Sequence, residues 1–395
     1  MTTVRVPGFK FAGVSCGIKK SKKRDLALIV SDRPATAAAL FTTNRVKAAP
    51  VLVGMRNIRS GKLQAIVVNS GNANACTGAE GLRHAEAMCS ATGACLGVDS
   101  RLVLPSSTGI IGVPLPIETV RHGIREAATD LSRDRFADAA DALLTTDRFA
   151  KTAVAKCSVG DQRVTVAGMA KGAGMIAPKM ATMLAYVLSD ASIEANFLRS
   201  ILRSVADRTF NAVTVDGDMS TNDTLVFLAN GFAGNVPIRR GTKDALTFEK
   251  TVDAVMKKLA LKLVEDGEGA TKVVEVRVEG ASSSTAARNI ACSVANSQLV
   301  KTAFFGEDPN FGRIMAAIGY AGVPIDVEKI DVSFEGVKVV SRGVGNPGRE
   351  RQAARVLRRP SFQVKITLRQ GRQAASVWAS DLSHEYVRIN SAYRT

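Results

Sequence analysis

Histidine is nearly missing from this chain, with only His84, His122 and His384 among 395 residues. The six cysteines, Cys16, Cys76, Cys89, Cys95, Cys157 and Cys292, form no Cys-x-x-Cys pair. Together these counts argue against a Cys/His zinc site. Scattered single cysteines fit core packing in a reducing compartment. Long apolar runs are also lacking. Leu26 to Val30 and Ala65 to Val68 have strand length, far short of the ~18 residues that read as membrane-spanning. The segment Met1 to Phe9 has no apolar core of a secretory signal and no long Arg/Ser-rich amphipathic stretch, so the expected location is the cytoplasm. Aromatic residues make up 5% of the chain, too few to interleave a basic surface for base stacking. The net charge is +17, yet Lys19 to Arg24 is the one dense basic run, and no helix-turn-helix, RNP or zinc-finger signature appears. Nucleic-acid binding is therefore not expected. The charge reads as a basic background or as a field that draws in anionic small molecules.

What is present suits a globular protein of two or three lobes: 46% apolar and 23% charged residues. No internal repeat or low-complexity linker divides it. Apolar runs predict strands at 25–31, 64–68, 102–105, 162–166, 182–188, 224–228 and 273–278. Spacings of three and four predict helices near 81–95, 117–131, 135–143, 193–209 and 246–264, with another starting at 310. The segment 168–178 has no period. From Ile330 onward the pattern is mostly period two, which predicts a strand-rich C-terminal region. The expected class is α/β or α+β, with Gly-rich loops at the ends of buried strands.

The chemistry concentrates in Lys171-Gly-Ala-Gly-Met-Ile-Ala-Pro-Lys-Met-Ala181-Thr182. No Gly-Lys-Ser/Thr follows the glycines, so this is not a phosphate-binding P-loop. No helix opens after them, so it is not a dinucleotide fingerprint. A strand preceded by a Gly-rich turn is the plain alternative. The other reading is an N-terminal nucleophile. A Thr hydroxyl needs a base to take its proton. If the chain is cut before Thr182, the new α-amine, with a reference pKa of about 7.7–8.0, is that base. The same hydroxyl can make the cut by attacking the Ala181 carbonyl, and a small residue there leaves room for the attack.

Seen along its whole length, the chain resembles the glutamate N-acetyltransferase/ornithine acetyltransferase family, which self-cleaves at an Ala-Thr bond. The resemblance rests on motifs in the family's order. They are Phe41-Thr-Thr-Asn44, Asn69-Ser-Gly-Asn-Ala-Asn-Ala-Cys-Thr-Gly78, Ser107-Thr-Gly-Ile-Ile-Gly112, Thr145-Thr-Asp147 and the 171–184 block. Asp216-Gly-Asp-Met-Ser-Thr-Asn-Asp223, Glu265-Asp-Gly-Glu-Gly-Ala-Thr-Lys272, Asp308-Pro-Asn-Phe-Gly-Arg313 and Ile389-Asn-Ser-Ala-Tyr-Arg-Thr395 complete the set.

The resemblance implies a role for each matching residue. Thr182 is the nucleophile, and Ala181–Thr182 is the cleaved bond. Thr108 and Gly109 supply the two donors of an oxyanion hole. Lys171 binds substrate or tunes the Thr182 amine. Glu268 takes the amino group of ornithine. Thr145 or Thr146 contacts substrate, with Thr145 favoured, and Asn390 and Thr395 close over the α-amino-acid end. No role is attached to Lys179. The loops at Asn72 and Asn310 are expected to be structural.

The implied fold is α/β, with layered sheets sandwiched by helices as in N-terminal-nucleophile hydrolases. Two chains, 1–181 and 182–395, would stay associated in a heterotetramer of two of each. The implied reaction moves an acetyl group from N-acetyl-L-ornithine to L-glutamate through acetyl-Thr182, without metal or redox cofactor and away from nucleic acid and membrane. Acetyl-CoA as a second donor is left open. A self-processing amidase or aminopeptidase, passing the acyl group to water, is the competing expectation.

Overall fold

A computed structural model describes residues 4–177 and 183–392. Its strands are β1 (Phe9–Val14), β2 (Leu26–Phe41), β3 (Lys62–Asn72), β4 (Val103–Ile110), β5 (Lys151–Val159), β6 (Gln162–Lys171), β7 (Leu184–Ser189), β8 (Val213–Thr214), β9 (Thr224–Ala229), β10 (Val273–Ala281), β11 (Asp331–Phe334), β12 (Val337–Ser341), β13 (Val344–Gly345), β14 (Ser361–Thr367) and β15 (Gln373–Ser380). Its helices are α1 (Ala49–Asn57), α2 (Gly78–Leu96), α3 (Ile117–Thr129), α4 (Phe136–Ala142), α5 (Ala195–Arg208), α6 (Lys243–Glu265), α7 (Ser284–Asn296), α8 (Gln298–Phe305), α9 (Phe311–Gly319), α10 (Glu350–Leu357) and α11 (His384–Ala392).

Two mixed sheets result. The first runs β4-β3-β2-β9-β7-β6-β5, with β1 also paired to β2. The second runs β13-β12-β11-β14-β10-β15-β8. In the first sheet β2 is the long strand that bends. Its register against β3 breaks between Val30 and Ala35, around the exposed residues Asp32, Arg33 and Pro34. Proline donates no ladder hydrogen bond, so a bend is where it is tolerated. The first half of β2 pairs with β1 and the second half with β9.

The two halves of the sheet therefore share one core, in which Phe9, Phe11, Ile29 and Ile66 meet Met169, Tyr186 and Leu228. Phe136 of α4 stacks edge-on against Phe11 there, centroids 5.1 Å apart. Outside this core, α1 and α2 cover the β4 side and α3 packs on β2, while α6 covers β5 and β6 and α5 packs against β2. The stripe Ala245, Phe248, Val252, Val255, Met256, Leu259 and Leu263 shows why α6 lies as it does. Its three-to-four spacing faces the sheet, and the Thr242 side chain caps its first turn by accepting from the Ala245 N–H.

The second sheet keeps one face half open. Val274, Val276 and Val278 of β10 and Phe362, Val364 and Ile366 of β14 point into a core shared with Ile290, Phe304 and Ile318. The residues between them are less buried.

The layered α/β class matches the expectation, but several boundaries do not. β4 continues through Ser106 to Ile110 and β6 through Gly168 to Lys171, five residues past each predicted end. Backbone pairing carries them on: β3 pairs with β4 up to Ile110, and β6 pairs with β5 up to Ala170 and with β7 up to Lys171. The C-terminal region is not simply strands. It holds α10, whose buried Ala353, Val356 and Leu357 follow helical spacing, and α11. No helix among the described residues is long and apolar enough to cross a membrane.

Candidate active site

The ends of β4 and β6, the loop before β5, the loop after α6 and helix α11 meet around a cleft of about 260 Å³. That volume suits a small metabolite better than the ligands that fill pockets of roughly 300–1,000 Å³. β4 brings Thr108 and Gly109 to its wall. Gly109 has φ +134°, and a Cβ there would lie 2.3 Å from the carbonyl carbon of Gly71 and 2.5 Å from the nitrogen of Asn72. Only glycine fits this approach of two backbones. Next to it, Ser107 Oγ donates to Asn69 Oδ1 at 2.6 Å and Asn222 Nδ2 donates to the Ser107 carbonyl at 2.8 Å, so the strand end is held from both sides.

β6 brings Lys171, which is buried at 6% exposure although lysine is usually solvated. Its Nζ donates to Thr145 Oγ1 at 2.8 Å and Thr108 Oγ1 at 3.0 Å. Both hydroxyls therefore accept from the ammonium, which leaves their own hydrogens to be donated elsewhere. That is the arrangement an oxyanion requires.

A buried ion network holds Lys171 in place. Asp147 accepts from the Thr145 N–H at 3.0 Å, the Gly172 N–H at 2.7 Å and Lys151 Nζ at 2.6 Å, with Lys171 Nζ at 3.9 Å. Lys151 is fully buried and also donates to Asp266, which takes the Arg148 guanidinium as well. Burial works against a charge on Asp147, but Lys171 and Lys151 outweigh it and hold the carboxyl well below the usual range. Burial likewise pushes the Lys171 ammonium below its ordinary value, against the pull of Asp147.

The lining also carries acidic residues. Glu268 donates its N–H to the Ala173 carbonyl at 2.8 Å, which seats its carboxylate against Gly174. A Cβ on Gly174 would lie 2.5 Å from Glu268 Oε2. Asn390 of α11 donates to the same oxygen at 2.8 Å. Asp216 accepts from the N–H groups of Met175 and Ile176 at 2.7 and 2.9 Å, and from the Tyr386 hydroxyl at 3.3 Å. The cleft lining thus carries an ammonium, Lys171, and carboxylates, Glu268 and Asp216.

Thr108, Gly109, Thr145, Thr146, Lys171, Glu268 and Asn390 all line this one cleft. Of the two threonines, Thr145 is the one whose hydroxyl meets Lys171. Ala181, Thr182, Thr395 and Lys179 lie outside the described residues. The chain that follows Thr182 is close at hand: Leu184 is the β-ladder partner of Lys171, and the Met183 N–H donates to Asp223 Oδ1 at 3.1 Å. The loops at Asn72 and Asn310 are structural. Asn72 Nδ2 donates to the carbonyls of Val113 and Pro114, and Asn310 caps α9. Sequence reasoning gave no role to Asp147, Lys151, Asp266, Asp216 or Tyr386. Asp147, Asp216 and Asp266 stand inside the recognised motifs, which was the available signal. Lys151 and Tyr386 stand in none.

A layered two-sheet fold with a polar cleft lined by charges of both signs defines an α/β enzyme with a small-molecule site. Residues 10–395 match the ArgJ family. The chain is 48% identical over 393 residues to the arginine biosynthesis bifunctional protein ArgJ of Geobacter sulfurreducens, covering 99% of this chain and 100% of that one. It is 48% identical over 392 residues to the protein of the same name from Caldanaerobacter subterraneus subsp. tengcongensis, covering 98% and 97%. Among solved structures it is similar to arginine biosynthesis bifunctional protein ArgJ from Bacillus halodurans, with 36% identity, a TM-score of 0.50, and 52% of this chain against 96% of that one. This chain belongs to the ArgJ family.

Proposed function

We propose that this protein is a self-cleaving N-acetyltransferase of arginine biosynthesis that moves an acetyl group from N-acetyl-L-ornithine to L-glutamate. The observation that carries the proposal is the convergence of Lys171, the Thr108 and Thr145 hydroxyls, Gly109 and Glu268 in one cleft, on the β-ladder that leads directly into Met183.

Cleavage between Ala181 and Thr182 gives chains 1–181 and 182–395. Both stay in one fold, because β7 and β9 from the second chain complete the sheet that β6 and β2 begin. The solved relative supports this reading: 96% of its chain matches 52% of this one, so it is little more than half as long. Two copies of the cleaved pair make the proposed heterotetramer, working in the cytoplasm.

In the transfer, the Thr182 amine takes the proton of its own hydroxyl, and Oγ attacks the acetyl carbon. The Thr108 hydroxyl and the Gly109 N–H take the negative charge that develops on the acetyl oxygen. The bond to the ornithine nitrogen breaks, the proton returns to that nitrogen, and acetyl-Thr182 remains. The glutamate α-amine then bonds to the acetyl carbon, the carbon–Oγ bond breaks, and the proton leaving that nitrogen passes through the Thr182 amine to Oγ, which restores the hydroxyl. Lys171 suits the carboxylate of either substrate, and Glu268 suits the side-chain ammonium of ornithine. Asn390 and Thr395 close the α-amino-acid end. The route uses a hydroxyl and an amine and calls on no metal or redox cofactor. The name bifunctional, borne by the relatives, and the net charge of +17 support acetyl-CoA as a second donor.

The test is to incubate purified protein with N-acetyl-L-ornithine alone and measure fragment masses. The second fragment should gain one acetyl group on Thr182 and lose it when glutamate is added. Ornithine release without an acetylated fragment, unaffected by glutamate, would favour transfer to water instead.

A further inference from the structure

Glu268 stands in the loop between α6 and β10, and that loop is tied down on both sides of it. On the near side, the buried Asp266 takes Lys151 and Arg148. On the far side the anchor is Asp381, just past the end of β15. Its Oδ1 accepts the Thr271 N–H at 2.8 Å and the Lys272 N–H at 3.0 Å, and its Oδ2 accepts from the Thr271 hydroxyl. Asp381 is 3% exposed and stands outside the lining of the cleft. It belongs to none of the sequence motifs, and the transfer chemistry gives it no part.

The turn that carries Asp381 is itself fixed. The ammonium of Lys301, buried on α8, donates to the Ser380 carbonyl and hydroxyl, and the Leu382 N–H donates to the Lys301 carbonyl at 3.2 Å. Next along the chain, Ser383 Oγ donates to the Gly269 carbonyl at 2.6 Å. A Cβ on Gly269 would lie 2.5 Å from the Tyr386 nitrogen, so the loop and the first turn of α11 touch backbone to backbone. Asn390, one turn further along α11, reaches Glu268 Oε2. The segment from Ser380 to Asn390 thus grips the Glu268 loop, and Asp381 makes the bonds that hold its far end. Hydrogen bonds to an ionised carboxylate are among the stronger ones, which suits an anchor.

We propose that Asp381 is a positioning residue, which sets the Glu268 carboxylate where it meets the side-chain ammonium of the donor. This rests on the reading of Glu268 above. A misplacement of about 1 Å at a site can cost up to about 100-fold in rate, so an anchor behind the cleft matters as much as a group on its wall. What Asp381 contributes is hydrogen bonds rather than a charge facing the substrate. An amide in its place can keep all of them: its oxygen accepts the two N–H groups, and its NH2 donates to the Thr271 hydroxyl, which turns from donor to acceptor. An alanine keeps none. The effect falls on the donor, because glutamate has no side-chain ammonium to present to Glu268.

The test measures kcat/KM for N-acetyl-L-ornithine and for L-glutamate on purified variants. Asp381→Ala should lower the N-acetylornithine value about tenfold and the glutamate value less than about twofold. On a Glu268→Gln background the same substitution should add less than about twofold, because residues that act through one another are not additive. Asp381→Asn should stay within about threefold of the native enzyme. Thr271→Val removes only the hydroxyl and keeps both backbone bonds. It should lower the N-acetylornithine value several-fold, and it carries the test if Asp381→Ala does not fold. Native values in these variants overturn the proposal. So does an equal fall for both substrates, which marks a purely structural role. An undiminished effect on the Glu268→Gln background, or an Asp381→Asn variant as poor as Asp381→Ala, overturns it too. If Glu268→Gln alone leaves N-acetylornithine unaffected, the reading of Glu268 falls and takes the proposal with it, a result read from that variant by itself.

Discussion

Every residue of β7 and β9 in the eight-stranded sheet is buried, whereas β10 and β14 in the seven-stranded sheet alternate between buried and half-open positions. Both sheets are held by the same apolar packing, but they treat polar groups differently. A strand that faces solvent can give its polar residues to water. One buried on both faces must pair them internally, at a cost of several kcal/mol per ion if it fails. Lys171 and Thr108 sit near the ends of such strands and Asp147 in the loop before β5, and each is bonded to another side chain or to backbone. The first sheet thus concentrates fixed, water-poor polar groups at one cleft, which is what binding and group transfer need. The second sheet supplies β8 and, through β15, leads into α11, the helix that puts Tyr386 and Asn390 over the cleft.

Substitutions in the two sheets should therefore separate activity from stability. The largest effect is expected for Gly109→Val, where a side chain must collide with the Gly71–Asn72 backbone. Cleavage and transfer should both fall by about 10²–10³-fold or more if one oxyanion site serves both; fragment masses and kcat check this, and normal cleavage with lost transfer would separate the two steps. Phe304→Ala, in the second sheet's core against Phe362, should cost about 3–5 kcal/mol in denaturant unfolding. Its kcat and KM per folded molecule should stay unchanged. A raised KM there would break the division of labour.

Glu268→Gln should raise KM for N-acetylornithine by roughly tenfold or more, from loss of a charge-assisted contact worth about 1.5–3 kcal/mol, and should affect glutamate less. Equal effects on both substrates would place Glu268 elsewhere in the mechanism. Asn390→Ala should be milder, about 1 kcal/mol, seen as a several-fold rise in KM with cleavage intact. The smallest effect is that of pH on binding. Because burial holds the Lys171 ammonium below the ordinary lysine value, its charge is present at low pH and lost as pH rises through that lowered value. KM for the carboxylate substrates should then climb on the alkaline side before ~10.4, where a free lysine titrates. A flat KM over that window would show that Lys171 stays charged or does not bind the carboxylate.

The buried strands were legible as unbroken apolar runs, and α6 as a helical stripe. The ends of β4 and β6 were not, because Ser106 to Gly109 and Gly168 to Lys171 look like turns when only side chains are read. Their strand character comes from backbone pairing with distant neighbours. β2 hid its second half behind Arg33-Pro34, a break in the pattern but not in the chain's course. α10 is short and highly charged, so its three buried residues were lost in a strand-like background. At the site, the motifs named the residues that line the cleft. They could not show that Asp147, Lys151 and Asp266 form one buried network, since Asp266 lies more than a hundred positions from the other two.

The central claim is that the working protein is two chains with a free amine on Thr182. Intact mass and N-terminal sequencing of freshly purified protein test it most directly. The account predicts two fragments that co-purify, the second beginning Thr182-Met183-Leu184. A single chain that remains whole on incubation, yet transfers acetyl groups at full rate, would contradict it.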